Sequence, residues 1–469
     1  MSAAVEPANS KTTTGQRTSV VWFRNDLRLE ANPAWLSATG ASDVVIPIVV
    51  IDPNLLNSVG PYRRNLFLGN ITSLQGDLSE YGALLSVLIG HPTTLVPHVC
   101  EAVSADALYF NRATSRYGRA RDNTVARTLA CEHVTFWGTL LTEPGTVLTG
   151  KGTLSKVFTP FWKQWAKTTP PEMPEGGDAS FGVAPAEFRN AVPDYDTPVI
   201  EPGNDGAHNA LRRWLEHVDG YADTRDLPAI DGTSQLSAHL RFGTIAPSTI
   251  QQIVGTGTEG RDGFVRQLAW RDWYAHMLLE TPDMIDHAVR SEYDNVAWLN
   301  DPLGLDAWKH GQTGYPIVDA GMRQLAATGW MHNRVRMIVG SFLVKDLLID
   351  WREGERWFRH LLIDAEPSQN AGNWQWVAGT GTDAAPYFRV FNPVTQSAKF
   401  DTDGRYIKKW VPELSGLDNK SIHSPWTAAP LDLAAKGVIL GDTYPEPIVD
   451  HKFARDRVLA AYKKALGKE

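Results

Sequence analysis

Three consecutive segments decide the class of the first domain: VVIPIVVI at residues 44–51, RRNLFLGNITSLQGDLSEY at residues 63–81 and LLSVLI at residues 84–89. The outer two are short and rich in β-branched residues, whereas apolar residues recur at intervals of three and four in the middle one. This strand–helix–strand order predicts a parallel sheet covered by helices.

The same alternation extends over the first 140 residues. Further strand-like runs occur at residues 19–23, 107–110 and 134–137, and a second helical pattern covers residues 116–130. We therefore expect a Rossmann-like α/β domain over residues 19–140. Residues 1–18 are mostly Ser, Thr, Ala, Lys and Gln without an apolar signal-peptide core, so we expect a disordered tail there.

The pattern changes after residue 140. Seven prolines between residues 170 and 202 interrupt any helix, so residues 141–205 are interpreted as an inter-domain linker with one helix at residues 157–167. Beyond it, helical periodicity appears at residues 207–217, 262–279, 316–327, 335–349, 354–362 and 452–466. Residues 206–469 are therefore predicted to form an all-α domain.

A formal GxGxxG motif occurs at residues 255–260 (GTGTEG). The dinucleotide-binding fingerprint requires a strand before it, whereas here Pro247 opens a helix that Gly255 caps. We interpret the motif as a loop between helices, which argues against a nicotinamide-dependent dehydrogenase.

Composition narrows the class of protein. Hydrophobic residues at 43% and charged residues at 21% are typical of a globular protein, and no apolar run is long enough to cross a bilayer. Cys100 and Cys131 are far apart in the sequence and the 13 histidines form no HExxH pattern, so we predict neither a disulfide framework nor a metal site, in a reducing cytoplasm. The net charge of −8 does not decide DNA binding, for which one basic face suffices.

Tryptophan is unusually frequent: 17 residues, against 16 phenylalanines and 13 tyrosines. A Trp-rich core, stacking surfaces and a redox relay all fit this excess, and composition alone favours the core.

Several long motifs occur in order along the chain. They are VVWFRNDLRL from residue 20, DGTSQLSAHLRFGTIAP from 231, QLAWRDWYAHML from 267, GWMHNRVRM from 329, DWREGERWF from 350, LIDAEPSQNAGNWQWVAGTGTDAAPYFRVFNP from 362 and TQSAKF from 395. Together they resemble the photolyase/cryptochrome family, and among its members the class I bacterial cyclobutane pyrimidine dimer photolyases most, over residues 19 to about 410. The resemblance implies an α/β antenna domain followed by a helical domain that binds FAD.

The resemblance assigns a set of residues to FAD. Small hydroxyl residues before a helix suit a diphosphate, although on the residues alone a helix cap is the favoured explanation, and only the resemblance reverses this preference. The family implies a pair between Asp364 and Arg336, and places Asn370 near flavin N5, where a neutral amide can donate a hydrogen bond. The FAD-binding positions implied are Tyr221, Thr233, Ser234, Gln235, Leu236, Ser237, Gln267, Arg271, Asn333, Arg336, Asp364, Glu366 and Asn370.

Three tryptophans match the family's electron-transfer chain: Trp374 nearest the flavin, then Trp351, then Trp298 near the surface. Taken singly, each is better explained by core packing, so the resemblance alone supports this role. With Asn370 and Gln267 they complete the set expected to take part in catalysis.

A further set is expected at the DNA lesion, since a dimer must leave the duplex to be reached. Trp270 and Trp376 match the indoles that pack on the flipped dimer. Other lesion or DNA contacts implied are Asn333, Arg334 and Met337, with Arg389 and Lys399 as candidates for phosphates. For Arg405, Lys408 and Lys409 a solvated surface is an equally good explanation.

Two residues indicate different lesions. The (6-4) photolyases carry a histidine acid at the position of Met337, and a thioether has no proton to supply, so Met337 favours cyclobutane dimers. Gln267 stands where class I enzymes usually have a glutamate, whereas the (6-4) enzymes also have glutamine. We give Met337 the greater weight.

The sequence therefore predicts light-driven splitting of cyclobutane pyrimidine dimers in UV-damaged DNA by electron transfer from excited, reduced FAD. We expect a cytoplasmic bacterial monomer that uses no metal. The alternatives are a cryptochrome-type photoreceptor, a (6-4) photolyase and a non-photochemical flavoprotein. Asn370, which plant cryptochromes replace with aspartate, together with Trp270, Trp376, Met337 and the absence of a long C-terminal extension, argues against the photoreceptor.

The antenna chromophore stays open. Folate-binding members have a glutamate in the loop after the fourth strand, whereas residues 111–117 read NRATSRY here. A deazaflavin, a folate, another chromophore or none remain as alternatives.

Overall fold

The computed structural model describes residues 15–383 and 386–467. Of the predicted tail, residues 1–14 lie outside these ranges, and the first strand begins at Thr18. None of the helices within the described ranges combines the length and the apolar character that a membrane span requires.

The first part of the chain forms a parallel sheet of five main strands in the order β3-β2-β1-β4-β5. The strands are β1 (Thr18–Phe23), β2 (Val44–Ile51), β3 (Ser86–Ile89), β4 (Ala107–Asn111) and β5 (Glu132–Phe136), each close to a predicted run. Their connections are helices α1 (Pro33–Ala41), α2 (Pro53–Asn57), α3 (Pro61–Glu80), α4 (Pro92–Ala102) and α5 (Arg116–Thr128). The predicted α/β fold is confirmed. The order of strands reverses between β1 and β4, and such a switch point opens a crevice at the carboxyl ends of these strands.

The segment predicted as a linker contributes to this sheet. Its helix, α6 (Phe158–Trp165), is found where the sequence indicates one. A two-residue strand, β6 (Ser180–Phe181), pairs in parallel with Val44 and Val45 of β2. Two residues among prolines produce no periodicity, so this strand could not be recognised in the sequence.

Helices make up the rest of the fold. They are α7 (Gly203–Leu215), α8 (Tyr221–Thr224), α9 (Ser237–Phe242), α10 (Pro247–Val254), α11 (Glu259–Glu280), α12 (Pro302–His310), α13 (Pro316–Thr328), α14 (Asn333–Ser341), α15 (Trp351–Leu361), α16 (Pro367–Ala378), α17 (Pro393–Phe400), α18 (Arg405–Trp410), α19 (Pro430–Ala434) and α20 (His451–Ala465). No strand follows Phe181 in the described residues. The all-α prediction is confirmed, and Gly255, with φ 64°, ends α10 as expected.

The single helix predicted at residues 335–349 is wrong. Helix α14 ends at Ser341, and a π-helical turn at Phe342–Asp346 follows it. This turn buries the Lys345 ammonium, whose Nζ donates to the carbonyls of Ala378 (2.8 Å) and Tyr387 (3.3 Å). Burial lowers the pKa of Lys345 to about 7. Periodicity cannot distinguish a π turn from a continuing α-helix here, because Phe342, Leu343 and Val344 continue the apolar pattern of α14.

The fold also brings Cys100 and Cys131 together, although they are remote in the sequence. Both thiols are free, and a hydrogen bond between them lowers the pKa of Cys131 to about 7.

Candidate active site

A cavity of about 480 Å³ opens among α8, α9, α11, α14, α15 and α16. Its size is within the range of about 300–1,000 Å³ that is typical of small-molecule sites. All the residues predicted to bind FAD line it: Tyr221, Thr233, Ser234, Gln235, Leu236, Ser237, Gln267, Arg271, Asn333, Arg336, Asp364, Glu366 and Asn370. The structure thus gathers into one wall residues that are spread over 150 positions of the chain.

An ion pair on the wall matches the expected one. The Arg336 guanidinium donates to both carboxylate oxygens of Asp364, at 3.2 and 2.8 Å. The Ser237 hydroxyl donates to the same carboxylate at 2.7 Å. The Asp364 side chain is 4% exposed, so this fork-like pair is partly shielded from water and holds α9, α14 and the segment before α16 together.

The segment before α9 carries the hydroxyls predicted to meet a diphosphate. Helix α9 begins at Ser237, so Thr233 and Ser234 precede it, as the sequence indicates. Gln235, which follows them, has φ 51°, a left-handed conformation that is uncommon outside glycine. This bend belongs to the cavity wall.

Two half-buried arginines add positive charge to the same wall. Arg271 donates to the carbonyls of Thr139 (2.5 Å) and Leu240 (3.3 Å), and Arg241 donates to that of Ala365 (2.7 Å). Burial lowers the pKa of both guanidiniums. Hydroxyls and cations of this kind fit the diphosphate of FAD. Sequence reasoning missed Arg241, although its spacing of four residues from Ser237 places both on one face of α9.

The amide of Asn370 is oriented differently from expectation. Its Nδ2 donates to the backbone carbonyl of Glu355 (3.0 Å) and to the Glu355 carboxylate (2.8 Å). Burial raises the pKa of this Glu355 carboxyl. Because both amide hydrogens are engaged here, Asn370 offers the cavity its carbonyl oxygen, and donation from Asn370 to a flavin nitrogen stays a prediction.

The three tryptophans of the predicted electron-transfer chain lie in one hydrophobic cluster. Trp374 lines the cavity and is 4% exposed, Trp351 is 1% exposed, and Trp298 is half-buried at the edge of the cluster. The close approach of helices α15 and α16 depends on Gly354, where an added Cβ would lie 2.1 Å from the Trp374 ring. Trp374 and Trp351 are thus both buried, and Trp298, which the resemblance places near the surface, is the most exposed of the three.

Part of the predicted lesion set lines the same cavity. Trp270, Trp376, Met337 and Asn333 all contribute to its wall. The Gln267 Nε2 donates one hydrogen to the Gly263 carbonyl at 3.0 Å, which leaves the side-chain oxygen and the second amide hydrogen for the cavity. The FAD set and the lesion set therefore share one space.

The predicted phosphate contacts lie outside that space. Arg334 forms an ion pair with Asp226 at 2.9 Å and its guanidinium lies 4.4 Å from the ring of Phe400. Arg389 and Lys399 are exposed, as are Arg405 and Lys409, while Lys408 is half-buried. Their position at the surface agrees equally with a DNA-backbone contact and with a solvated face.

A second, smaller cavity of about 80 Å³ lies between the two parts of the molecule. Its wall includes Arg24 after β1, Asn111 and Arg112 at the end of β4, and Arg271 and Glu366, which also line the first cavity. It therefore occupies the switch point of the sheet. No group of three or more His, Cys, Asp or Glu side chains in the described ranges is arranged to bind a metal.

Comparisons with known proteins agree with this arrangement. Residues 19–177 match the family described as DNA photolyase, and residues 264–464 match the FAD binding domain of DNA photolyase. A deoxyribodipyrimidine photo-lyase of Escherichia coli is 40% identical to the chain over 474 aligned residues, covering 96% of this chain and 99% of that protein. The chain belongs to the DNA photolyase family.

Solved structures of the photolyase family share the fold at full length. A bacterial class III photolyase from Agrobacterium tumefaciens superposes with a TM-score of 0.88 at 36% identity, covering 98% of this chain and 100% of that chain. A cryptochrome from Synechocystis superposes with a TM-score of 0.87 at 28% identity, covering 96% and 100%. The fold is therefore shared with a repair enzyme and with a cryptochrome alike, so the two functions must be distinguished by the residues of the site.

Proposed function

We propose that this chain splits cyclobutane pyrimidine dimers in UV-damaged DNA under blue light, with FAD as its cofactor. One observation carries the proposal: the Asp364–Arg336 pair and Asn370 line the same cavity as Trp270, Trp376 and Met337. A cofactor in that cavity and a base flipped into its mouth would be direct neighbours, as electron transfer between them requires.

One set of residues binds the cofactor and another contacts the damaged DNA. The cofactor is bound and oriented by the half-buried side chains of Arg271 and Arg241 and by the hydroxyls before α9. Trp270 and Trp376 offer aromatic faces to an extruded dimer, and base–aromatic stacking contributes about 1–3 kcal/mol per base. When bound, reduced FAD supplies the electron that the light-driven reaction needs.

The choice of lesion rests on two side chains in the wall. The Met337 thioether has no proton to give, and oxygen transfer in a (6-4) product requires an acid. Gln267 keeps its side-chain oxygen and one amide hydrogen for the cavity, because the Gly263 carbonyl accepts only one of the two hydrogens on Nε2. Dimer splitting needs no proton from either side chain, so cyclobutane dimers are the better substrate. Replacing Gln267 with Glu is expected to increase the yield of repair per absorbed photon, since a protonated carboxyl can stabilise charge on the dimer.

A cryptochrome-type photoreceptor is the second candidate, favoured by the similarity to the Synechocystis cryptochrome. The presence of two lesion-facing indoles at the cavity supports repair instead. Retained repair activity separates the two functions.

A light-harvesting chromophore, where one is used, would place only one of its groups in the smaller cavity, because about 80 Å³ cannot enclose a deazaflavin or a folate. Its wall carries Arg24, Arg112 and Arg121, so an anionic group on the chromophore would be favoured. Arg112 stands in the loop where folate-binding relatives have a glutamate. Extraction of the purified protein followed by mass spectrometry distinguishes a deazaflavin from a folate.

The test of the proposed function compares two oligonucleotides, one with a single cyclobutane thymine dimer and one with a (6-4) photoproduct. Photoreduced protein is illuminated with blue light, and restored thymines are quantified by chromatography, with dark samples and a Trp270→Ala variant as controls. Light-dependent restoration of the dimer alone is the expected result. Repair of the (6-4) product alone would mean that Met337 was given too much weight, and repair of neither by FAD-loaded protein would support the photoreceptor.

A further inference from the structure

An aromatic ring from the predicted linker lies directly behind one of the lesion-facing indoles. Phe158, the first residue of α6, is 1% exposed. Its ring centroid lies 3.6 Å from that of Trp270, with the ring planes 11° apart. This residue belongs neither to the cavity wall nor to any motif that the sequence analysis singled out.

The aromatic residues packed around Trp270 limit which face of its indole a ligand can reach. Trp273 meets the Trp270 indole edge-on at 5.2 Å and Tyr274 lies at 5.7 Å, both on the same helix. Phe158 covers one face, so only the opposite face is left for a flipped base. Trp270 is half-buried and lines the cavity, so its ring can be reached from that side. An indole packed in this way is held as a rigid platform before any ligand arrives, which reduces the entropy lost on binding.

Phe158 also contacts the segment that leads to Arg389. Its backbone N–H donates to the Asp383 carboxylate at 3.1 Å. Asp383 follows α16, which carries Trp376, and has φ 47°, a conformation that its neighbours must maintain. The start of α6 is thus linked to Trp270 through its ring and to the segment after Trp376 through its backbone.

We propose that Phe158 is a positioning residue for lesion recognition, because its ring holds the Trp270 indole in the orientation in which it meets an extruded dimer. The inference rests on the proposed function and adds a residue outside the helical domain to it. Loss of the stack weakens binding of damaged DNA and leaves binding of undamaged DNA unchanged, since the latter needs no flipped base. The expected loss is roughly tenfold, on the order of the contribution of one stacked base.

The experiment uses the FAD-loaded full chain with Phe158→Leu and Phe158→Met, two apolar replacements without a ring. Phe161→Leu is the matched control, because Phe161 lies one turn along α6, is also 1% exposed, and packs edge-on against His276 at 5.6 Å. Dissociation constants for a dimer-containing and an undamaged oligonucleotide are measured by fluorescence anisotropy. FAD content, melting temperature and repair at saturating dimer are recorded in parallel.

We expect both Phe158 variants to bind the dimer strand about tenfold more weakly, with unchanged affinity for undamaged DNA and unchanged repair once the dimer is bound. Phe161→Leu should lose stability to a similar degree and keep its discrimination. Wild-type affinity in both Phe158 variants overturns the inference, and so does an equal loss in Phe161→Leu. A wild-type protein that does not prefer the dimer strand refutes the proposed function itself, which is a separate outcome.

Discussion

Replacing Asp272 with asparagine is expected to destabilise the junction between the predicted linker and α11. The Asp272 carboxylate is fully buried and accepts from the Leu141 and Thr142 backbone N–H groups, from the Thr142 hydroxyl and from the Trp165 indole, at 2.9–3.2 Å. It therefore connects α11, with Trp270 and Arg271, to α6 and the segment before it. Asparagine keeps the shape of the side chain and removes its charge.

The magnitude follows from these four donors. The amide oxygen can take the position of Oδ2, which all four donors reach, but each bond loses charge assistance of about 1 kcal/mol, so the total is about 4 kcal/mol. The 469 residues, at about 2.1 cal/mol/K each, give an unfolding entropy of about 1 kcal/mol/K. The melting temperature should therefore fall by about 4 °C.

Differential scanning fluorimetry of the FAD-loaded protein measures this shift. Asp456→Asn is the control, since its side chain is 70% exposed and removes the same charge at the surface. The control should melt within about 1 °C of wild type. A shift for Asp272→Asn that is no larger than the control's would refute the reasoning, because it would mean that the four bonds add nothing beyond solvation.

Three further predictions concern the cofactor, the tryptophans and the buried lysine. Asp364→Asn, which leaves Arg336 without its carboxylate, should weaken FAD binding by roughly tenfold or more, as measured by titration of apoprotein; unchanged affinity would exclude a role for the pair. Trp374→Phe should slow photoreduction of bound FAD in a flash-absorption experiment without changing FAD content, and a wild-type rate would remove Trp374 from the chain. Burial lowers the pKa of Lys345 to about 7, so the unfolded chain binds more protons between pH 7 and about 10.4, and the free energy of unfolding should rise with pH across that window. Lys345→Met should lack this rise in pH-dependent denaturant titrations, and an identical slope would contradict the assignment.

Much of the fold followed from periodicity. β-branched runs indicated all five main strands, because strands covered on both faces must be apolar throughout. Helix α16 did not appear as a helical pattern in the sequence, since Gln369, Asn370 and Asn373 face the cavity and interrupt the apolar stripe. The π turn after Ser341 was mistaken for helix for the opposite reason, as its residues are uniformly buried.

The candidate site was predictable only where a motif carried it. Tyr221 to Asn370 were found through resemblance, and the structure brings them to one wall. The orientation of the Asn370 amide could not be found in this way, because it depends on the Glu355 carboxylate, 15 residues away in the sequence. Arg241 was detectable by its spacing from Ser237.

The sequence by itself determined which chemistry the chain carries and in what order its elements follow, because residue type and periodicity are local properties. Only the tertiary structure decided which side chains meet. Phe158 reaches Trp270 across more than one hundred residues, and Asp272 meets donors from the start of the linker and from α6. Such contacts depend on how helices pack, and packing is set by the whole buried surface rather than by any segment.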